Sequence, residues 1–376
     1  MRSAATLPRS IARNRKGRPD QPRFLTYLVT FRCNAKCIMC DCWKKPPGND
    51  LGLHEIDRIL DELPRMDAVR LSGGEPFLRR DLPEIAARIQ RKLKPRFLHI
   101  TSNGLAMDRI LDFCRERPRG VPLRLLISLD GLQPVHDRIR GISGAWEKAV
   151  ATLRELAPRR REWRIDLSIN QTIVDEEGID QHRRLNRLFG PLGIPVHAVL
   201  AYDASATYSC QDEVIEMPGI EGGFTTFGEF SRDQLTELFR EVESGLRRQP
   251  FLHRRIKRYY WNGVRSRLLS RTARPNPPCV ALSSHMRILP DGRVPVCQFN
   301  SRSVGSLREQ SFSDIWHGPE AVRQRRWVNA CPGCWAECEV LPNAVYSGDL
   351  FSRLPFMRPL VESASSRTPG AAADPA

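Results

Sequence analysis

The sequence lacks the long apolar runs that mark integral membrane proteins. Its 376 residues contain no stretch of 18 or more apolar side chains, so no membrane span is expected. The first 22 residues are basic and lack the apolar segment of a secretory signal, which argues against export. These two absences favour the cytoplasm as the location and argue against a membrane partner.

Lysine is also scarce, although the chain is strongly basic. Only eight of the 59 basic residues are lysine, and the formal net charge is +16. The arginines are spread through predicted helices rather than gathered with aromatic residues, which favours a solvated arginine-rich surface over nucleic-acid binding. An acidic peptide or a phosphorylated substrate would suit the same surface.

Cysteine, in contrast, is abundant and clustered. Eleven cysteines in a chain without an export signal indicate metal or redox use rather than disulfides. Four lie within 33–42 and five within 279–338, whereas Cys114 and Cys210 stand apart and are predicted to be buried or incidental thiols.

The first group, Cys33, Cys37 and Cys40, follows a predicted buried strand over 24–30. Thiolates on one short loop can converge on a single 4Fe–4S cube. Three protein ligands would leave one of the four irons open to a small molecule, as in catalytic metal sites. A zinc knuckle and scattered core cysteines remain alternatives if the spacing is taken alone.

This cysteine loop resembles the signature loop of the radical S-adenosylmethionine (SAM) enzymes. Further matches are the Gly-Gly-Glu-Pro turn at 73–76, Ser-Asn-Gly at 102–104 and Ser-Leu-Asp-Gly at 128–131. Over roughly residues 22–340, the resemblance implies a cluster whose open iron binds the amino and carboxylate groups of SAM. It also implies one-electron cleavage of SAM to a 5′-deoxyadenosyl radical.

The resemblance assigns cofactor-binding roles to particular residues. Gly73, Gly74 and Glu75 would hold the methionine amino group of SAM. The remaining SAM contacts would come from Asn103, Ser128, Asp130 and Met39, the last at a position near the adenine where the family usually has an aromatic residue. His136–Gly141 matches a loop of the family, from which Arg140 could pair with a carboxylate of cofactor or substrate or form a surface salt bridge. Asn170 and Gln171, which end the fifth strand, could face the cavity or satisfy a loop backbone.

The second cysteine group resembles the SPASM or twitch extension of many radical SAM enzymes. Cys279, Gly292 and Cys297 match its hairpin portion, and Cys331, Cys334 and Cys338 follow. The resemblance implies one auxiliary 4Fe–4S cluster bound by Cys279, Cys297, Cys331 and Cys334, with Cys338 as an alternative ligand. Zinc remains an alternative. Gln298 replaces an aspartate that serves some sulfatase-maturing relatives as a base, so no catalytic acid or base is assigned.

Strands alternate with helices along the first two thirds of the chain, which predicts an α/β fold with a parallel sheet. Strands are predicted at 24–30, 68–71, 97–101, 123–129, 165–172 and 196–202. Helices are predicted at 54–63, 82–93, 107–116, 145–156 and 179–189. Six repeats are fewer than a full barrel needs, and the family resemblance implies a partial (β/α)6 TIM-like barrel with a small C-terminal cysteine-rich domain.

The predicted organisation has five parts. They are a disordered basic arm over 1–22, the core barrel over 23–232, a helical linker over 233–278, the auxiliary-cluster domain over 279–340 and a largely disordered tail over 341–376. Within the barrel part, residues 203–232 are predicted to form a connector.

The leading hypothesis is a radical SAM enzyme that removes a hydrogen atom from an unidentified substrate. The resemblance implies peptide oxidation or crosslinking, or dehydrogenation of a small alcohol, with an electron donor such as flavodoxin or ferredoxin. The alternatives are a cyclase like the molybdopterin-precursor synthase, whose auxiliary cysteine spacing differs, and a non-enzymatic module that binds metal and nucleic acid.

Overall fold

A computed structural model describes residues 6–46, 48–202, 205–210, 214, 226–270, 276–353 and 359–360. Most of the predicted connector over 203–232, and residues 271–275 of the predicted helical linker, therefore lie outside the described residues. All eleven cysteines are free thiols. Among the described residues, no helix combines the length and the apolar character that a membrane span requires.

One parallel sheet forms the centre of the molecule. Its first six strands are β1 (Phe24–Thr30), β2 (Ala68–Gly73), β3 (Phe97–Ser102), β4 (Leu123–Ser128), β5 (Ile165–Ile173) and β6 (Val196–Leu200). Each pairs with the next strand in parallel register. These strands match the predicted ones, and the α/β class with a partial barrel is confirmed.

A seventh strand comes from the far end of the chain. Strand β7 (His285–Ile288) pairs with β1 in parallel, so the sheet order is β6-β5-β4-β3-β2-β1-β7. The next two strands, β8 (Arg293–Pro295) and β9 (Ser303–Ser306), form a small antiparallel pair. Gly292 takes a φ of +90° in the turn between β7 and β8, where a side chain would be strained.

Thirteen helices surround the sheet or extend it within the described residues. The first seven are α1 (Thr6–Arg15), α2 (Leu53–Glu62), α3 (Leu82–Leu93), α4 (Met107–Glu116), α5 (Gln133–Arg140), α6 (Ala145–Arg159) and α7 (Glu177–Phe189). The others are α8 (Arg232–Arg247), α9 (Phe251–Arg265), α10 (Phe312–His317), α11 (Pro319–Ala330), α12 (Glu337–Tyr346) and α13 (Asp349–Arg353). Apolar side chains of the barrel strands and helices form the main core, and α8, α9 and α12 form a second one.

The prediction of a disordered arm is wrong for residues 6–22. Helix α1 lies in this segment, and Asn14 is buried there, donating hydrogen bonds to Ser284 Oγ (2.8 Å) and to the Tyr346 carbonyl (3.0 Å). These contacts join the two ends of the chain. Sequence reasoning missed them because both partners are far away along the chain.

The prediction of a disordered tail from residue 341 is wrong for residues 341–353. Helix α12 continues through Tyr346, and Ala344 and Leu350 are buried in the core that α8 and α9 share. The prediction of a loop over His136–Gly141 is also corrected, because residues 133–140 form α5. Gly141 ends that helix with a φ of +64°, as glycine commonly does at a helix C-terminus.

Candidate active site

The first cysteine group occupies a loop that begins where β1 ends. Its backbone is docked on the last turn of α5: Lys36 N donates to the Arg140 carbonyl (2.8 Å), and Ile38 N donates to the Ile139 carbonyl (3.0 Å). A side chain at Gly141 would lie 2.5 Å from the Lys36 carbonyl oxygen. The C-terminus of α5 therefore fixes the position of the segment that carries Cys37.

The paired glycines after β2 fit closely against the other side of the cysteine loop. A Cβ atom at Gly73 would lie 2.1 Å from the Thr30 carbonyl oxygen, and one at Gly74 would lie 2.2 Å from the Arg32 carbonyl oxygen. Gly74 N donates to Thr30 O (2.8 Å), and Glu75 N donates to Arg32 O (2.8 Å). The glycines thus let the turn bind the backbone that precedes Cys33.

The carboxyl group of Glu75 is buried among donors. It accepts hydrogen bonds from Phe77 N (3.0 Å), Ser102 Oγ (2.9 Å) and Asn103 N (2.7 Å). Burial nevertheless dominates and raises the pKa of Glu75 to about 7. A carboxylate offers about four acceptor positions, and these donors use three of them.

Asp130 is held inside the protein and does not line the cavity. Both of its carboxylate oxygens accept hydrogen bonds from the Arg140 guanidinium, at 2.7 and 3.0 Å. Burial raises the pKa of Asp130, but Arg140 and His136 outweigh it and hold the pKa at about 2. Arg140 also donates to Cys37 Sγ at 3.6 Å. Asp130 therefore orients the Arg140 guanidinium toward the Cys37 thiol.

The remaining candidate residues were predicted either to contact SAM (Met39, Asn103 and Ser128) or to face the cavity (Asn170 and Gln171). Met39 and Asn170 line the central cavity. Asn103 donates instead to Asn34 Oδ1 (2.7 Å) in the cysteine loop, and Ser128 is buried beside Asn170 in the sheet register. Gln171 is fully buried and donates to two backbone carbonyls, which makes its role structural.

The thiols of the first group differ in acidity. Burial, with smaller contributions from Glu75, Cys37 and Cys40, raises the pKa of Cys33 to about 11. Burial also raises the pKa of Cys37, although Arg140 opposes it. A hydrogen bond with Cys42 lowers the pKa of Cys40 to about 7. Ala35 N donates to Cys33 Sγ at 3.4 Å, and such donors are typical of sulfur ligands to iron.

The positions of the cysteines in each group are compatible with a cluster. Within the described ranges, no three His, Cys, Asp or Glu side chains converge tightly enough to hold a single metal ion. Each thiolate of a 4Fe–4S cube binds a different iron, so cluster ligands lie farther apart than the ligands of one ion.

The second group brings together cysteines from three segments. Cys331 raises the pKa of Cys279, Cys279 raises that of Cys297, and both Cys297 and Cys279 raise that of Cys334, each in addition to the larger effects of burial and of Glu339. Gly333 N donates to Cys331 Sγ at 3.4 Å. These four thiols could hold a cluster, to which they would bind as thiolates after losing their protons.

Cys338 has different surroundings. Its Sγ donates to Gln298 Oε1 at 2.6 Å, and both residues line the central cavity. After burial, the largest effects on the pKa of Cys338 come from Glu339, which raises it, and Arg287, which lowers it. The thiol therefore faces the cavity.

Glu339 is a buried anion that sequence reasoning did not find. It forms ion pairs with Arg287 and with His285 Nδ1 (3.2 Å) and accepts a hydrogen bond from Gln298 N (3.2 Å). Burial opposes its ionisation, yet these two basic partners keep the pKa of Glu339 well below its usual range. Only the position of Glu339 next to Cys338 could have suggested this role.

A cavity of about 1700 Å³ connects these features. It extends from Met39 and Cys40, at the carboxyl ends of the strands, to Asp67 and Arg164 near the opposite ends. Ligand pockets typically measure about 300–1,000 Å³, so this cavity can hold a large molecule. Tyr208, which sequence reasoning also missed, lines it, and burial raises the pKa of Tyr208 to about 12.

Comparisons with known proteins agree with this architecture. A sequence profile of the radical SAM superfamily matches residues 27–185, and a profile of the SPASM iron–sulfur cluster-binding domain matches residues 279–338. The AdoMet-dependent heme synthase of Methanosarcina barkeri is 26% identical over 333 residues, which cover 85% of this chain and 89% of that enzyme. Mycofactocin maturase MftC of Mycobacterium tuberculosis is 32% identical over 161 residues, which cover 40% of this chain and 38% of MftC.

Solved structures share the fold. SuiB of Streptococcus suis, bound to S-adenosylmethionine, superposes with a TM-score of 0.57 at 16% identity, covering 85% of this chain and 71% of SuiB. SuiB has also been solved with its precursor peptide SuiA. The two profiles fall on the two cysteine groups, where 4Fe–4S clusters and SAM are the cofactors. This chain is therefore an enzyme of the radical SAM superfamily that carries a C-terminal SPASM domain.

Proposed function

We propose that this enzyme cleaves SAM reductively at the first cysteine group and removes a hydrogen atom from a substrate held in the central cavity. The observation that carries the proposal is the convergence of three segments at one end of the cavity. The loop with Cys33, Cys37 and Cys40 is held between the Gly73–Gly74 turn and the end of α5. When bound, the cluster and SAM supply the 5′-deoxyadenosyl radical.

The residues around this loop would hold SAM in place. Glu75 has one acceptor position left for the methionine ammonium group, and Met39 presents a thioether at the cavity wall for the adenine. Asn170 offers an amide to the ribose hydroxyl groups. Asp130 would act indirectly, by orienting Arg140.

The second cysteine group would hold an electron acceptor beside the same cavity. Loss of a hydrogen atom leaves a substrate radical, which must give up one electron to become a closed-shell oxidised product. Cys279, Cys297, Cys331 and Cys334 would bind one auxiliary 4Fe–4S cluster for that step, and Cys338 would remain outside its ligand set.

A tetrapyrrole with carboxylate side chains is the substrate class that the cavity favours. Such a molecule is large and anionic, and nine arginine or lysine side chains line the cavity among the described residues, against four carboxylates. The match to a heme synthase over most of both chains supports this choice. The cavity is larger than a small alcohol would need.

A peptide is the second candidate. SuiB, which shares the fold, binds a precursor peptide, and a maturase matches part of this chain. A basic cavity could accept an acidic peptide segment. Flavodoxin or ferredoxin remains the proposed electron donor, and the cytoplasm, which keeps free thiols reduced, remains the proposed location.

Anaerobic reconstitution followed by incubation with SAM and a strong reductant tests the proposed function. Wild-type protein should contain about eight irons per chain and release 5′-deoxyadenosine. Cys37→Ala should lose about four irons and all detectable 5′-deoxyadenosine, whereas the exposed Cys210→Ala should behave as wild type. Continued formation of 5′-deoxyadenosine by the Cys37 variant would refute the assignment.

A further inference from the structure

A row of basic residues crosses the interior of the barrel below the proposed SAM site. Strand pairing places six residues in one continuous register, from β7 across the sheet to β5. All of them line the cavity: Arg287, Thr26, Arg70, His99, Arg124 and Asp166. Three carry fixed positive charges, and the only carboxylate is at the end of the row.

Arg70 and Arg287 lie on either side of Thr26. Both pair with this residue, which lies on the strand between theirs. Adjacent strands are about 4.8 Å apart, so the two arginine backbones are about 10 Å apart across a short side chain. The threonine hydroxyl is already bonded to His285 Nε2 at 3.0 Å. Both arginines line the central cavity, so one ligand in the cavity can contact both of them.

Neither guanidinium is fully satisfied within the described part of the chain. The Nε atoms of Arg70 and Arg287 are both buried without a hydrogen-bond partner. The guanidinium of Arg70 donates to the Cys338 carbonyl oxygen at 3.5 Å and lies over the Phe24 ring. Neither of these neighbours is a carboxylate. Arg287 shares Glu339 with His285. Arg70 is partly buried, and a positive charge withdrawn from water without an anion costs free energy.

The charges elsewhere in the row are already balanced or exposed. Arg124 is half exposed and pairs with Asp166 at 3.6 Å. Burial lowers the pKa of His99 well below its usual value, with Arg70 and Arg124 adding to the effect, so this ring stays neutral. Glu339 already pairs with Arg287, so the positive charge in this row that lacks an anion is that of Arg70, directly across Thr26 from Arg287.

We propose that Arg70 and Arg287 form a binding site for a carboxylate group of the substrate, next to Cys338 and the second cysteine group. This inference rests on the proposed function, because it requires the substrate to occupy the cavity. Gly74 lies four positions after Arg70 along the chain, which corresponds to about 13 Å at about 3.3 Å per residue. A substrate anchored at the arginines would thus extend toward the SAM end of the cavity.

Binding of iron coproporphyrin III, a porphyrin with carboxylate side chains, to the reconstituted enzyme tests this site. Titration followed by porphyrin absorbance should show binding of the acid and much weaker binding of its methyl ester. Arg70→Met should raise the dissociation constant of the acid about ten- to a hundredfold, the range expected for a lost charged hydrogen bond. The dissociation constant of the ester should not change.

Two further variants keep the test decisive. Arg287→Lys retains a cation beside Glu339 and should weaken binding less than Arg70→Met does. Arg88→Met, on α3, where Arg88 pairs with Asp57 of α2 at 2.9 Å and does not line the cavity, should match wild type in both binding and SAM cleavage. Iron content and thermal unfolding establish that each variant is folded.

The outcomes separate this inference from the proposed function. If wild type cleaves SAM but does not bind the acid, or if folded Arg70→Met binds the acid as tightly as wild type, the carboxylate site is refuted and the radical function stands. If wild type fails to release 5′-deoxyadenosine, the proposed function is refuted independently of the porphyrin titration.

Discussion

The two cysteine groups differ in how the fold assembles them. Cys33, Cys37 and Cys40 come from one loop, and a cation, Arg140, contacts the middle thiol. The second group draws its thiols from segments before β7, after β8 and after α11, and the carboxylate of Glu339 raises the pKa of several of them. Three thiols at the end of a cavity leave a coordination position for a ligand, whereas four thiols complete a cluster by themselves.

The largest expected effect is a difference in iron content between variants of two cysteines of the second group. Cys334→Ala should remove one auxiliary cluster, about four of the eight irons per chain, while Cys338→Ala should keep all eight. The reason is that Cys334 interacts with Cys279 and Cys297, whereas Cys338 bonds to Gln298. Iron and sulfide analysis gives the answer. Loss of four irons from the Cys338 variant would show that Cys338 is a cluster ligand and would contradict the proposed difference between the two cysteines.

Removing the carboxylate of Asp130, which pairs with Arg140, should strongly destabilise the loop that carries the first cysteine group. Asp130→Asn leaves a buried guanidinium without its carboxylate, and breaking such a pair costs about 3–5 kcal/mol. Denaturant unfolding of the reconstituted protein measures this loss. The exposed pair of Arg115 and Asp112 supplies the control, because Asp112→Asn should change the free energy of unfolding by less than about 1 kcal/mol. Equal effects of the two substitutions would show that Asp130 does not stabilise the loop.

A smaller effect is expected when the close packing of the Gly73–Gly74 turn against the cysteine loop is disturbed. Gly74→Ala would place a Cβ atom against the Arg32 carbonyl and displace the cysteine loop. Because a misplacement of about 1 Å can cost about a hundredfold in rate, 5′-deoxyadenosine formation should fall by up to that factor. Gly120→Ala is the matched control, since no atom lies within 4 Å of its added Cβ. An unchanged rate in the Gly74 variant would mean that the loop tolerates the shift.

The smallest expected effect is a pH dependence of SAM binding. The pKa of Glu75 is raised to about 7, chiefly by burial, and the ammonium group of SAM pairs only with the ionised carboxylate. The affinity for SAM should therefore fall about tenfold between pH 8 and pH 6. Glu75→Gln should bind more weakly and show a flat profile over that range, as measured by equilibrium dialysis. A flat wild-type profile would place the ammonium group elsewhere.

The same raised pKa has an opposite consequence for stability. Without SAM, folded Glu75 takes up a proton at a pH where the unfolded side chain is already ionised. Uptake of this proton therefore stabilises the folded state. The stabilisation is complete below about pH 4.5 and disappears as the pH rises through about 7. Bound SAM would offset this loss.

Local patterns were enough to predict most of the barrel. The apolar runs of β1 to β6 and the alternating helices identify the sheet, because a parallel strand buried on both faces has a recognisable composition. Cys33, Cys37 and Cys40 were equally recognisable, since all three lie on one loop. The order of the strands follows from the βαβ connections.

Contacts between distant segments could not be predicted in the same way. Strand β7 has only four residues, and nothing near it indicates that it pairs with β1. Sequence reasoning placed Asp130 among the SAM contacts, but the arginine ten positions later occupies both of its oxygens. Arg70 and Arg287 are far apart along the chain, and only the shared register with Thr26 brings them together.

The pairing of β7 with β1 also constrains how the protein can be made. During synthesis, β1 leaves the ribosome early, but one of its two neighbours in the sheet does not exist until residues 285–288 have been translated. Until then, that side of β1 presents unpaired backbone groups, which are prone to association with other chains. A nascent chain of this enzyme should therefore depend on chaperones until its last quarter emerges, and a truncation before residue 285 should aggregate rather than yield an isolated barrel.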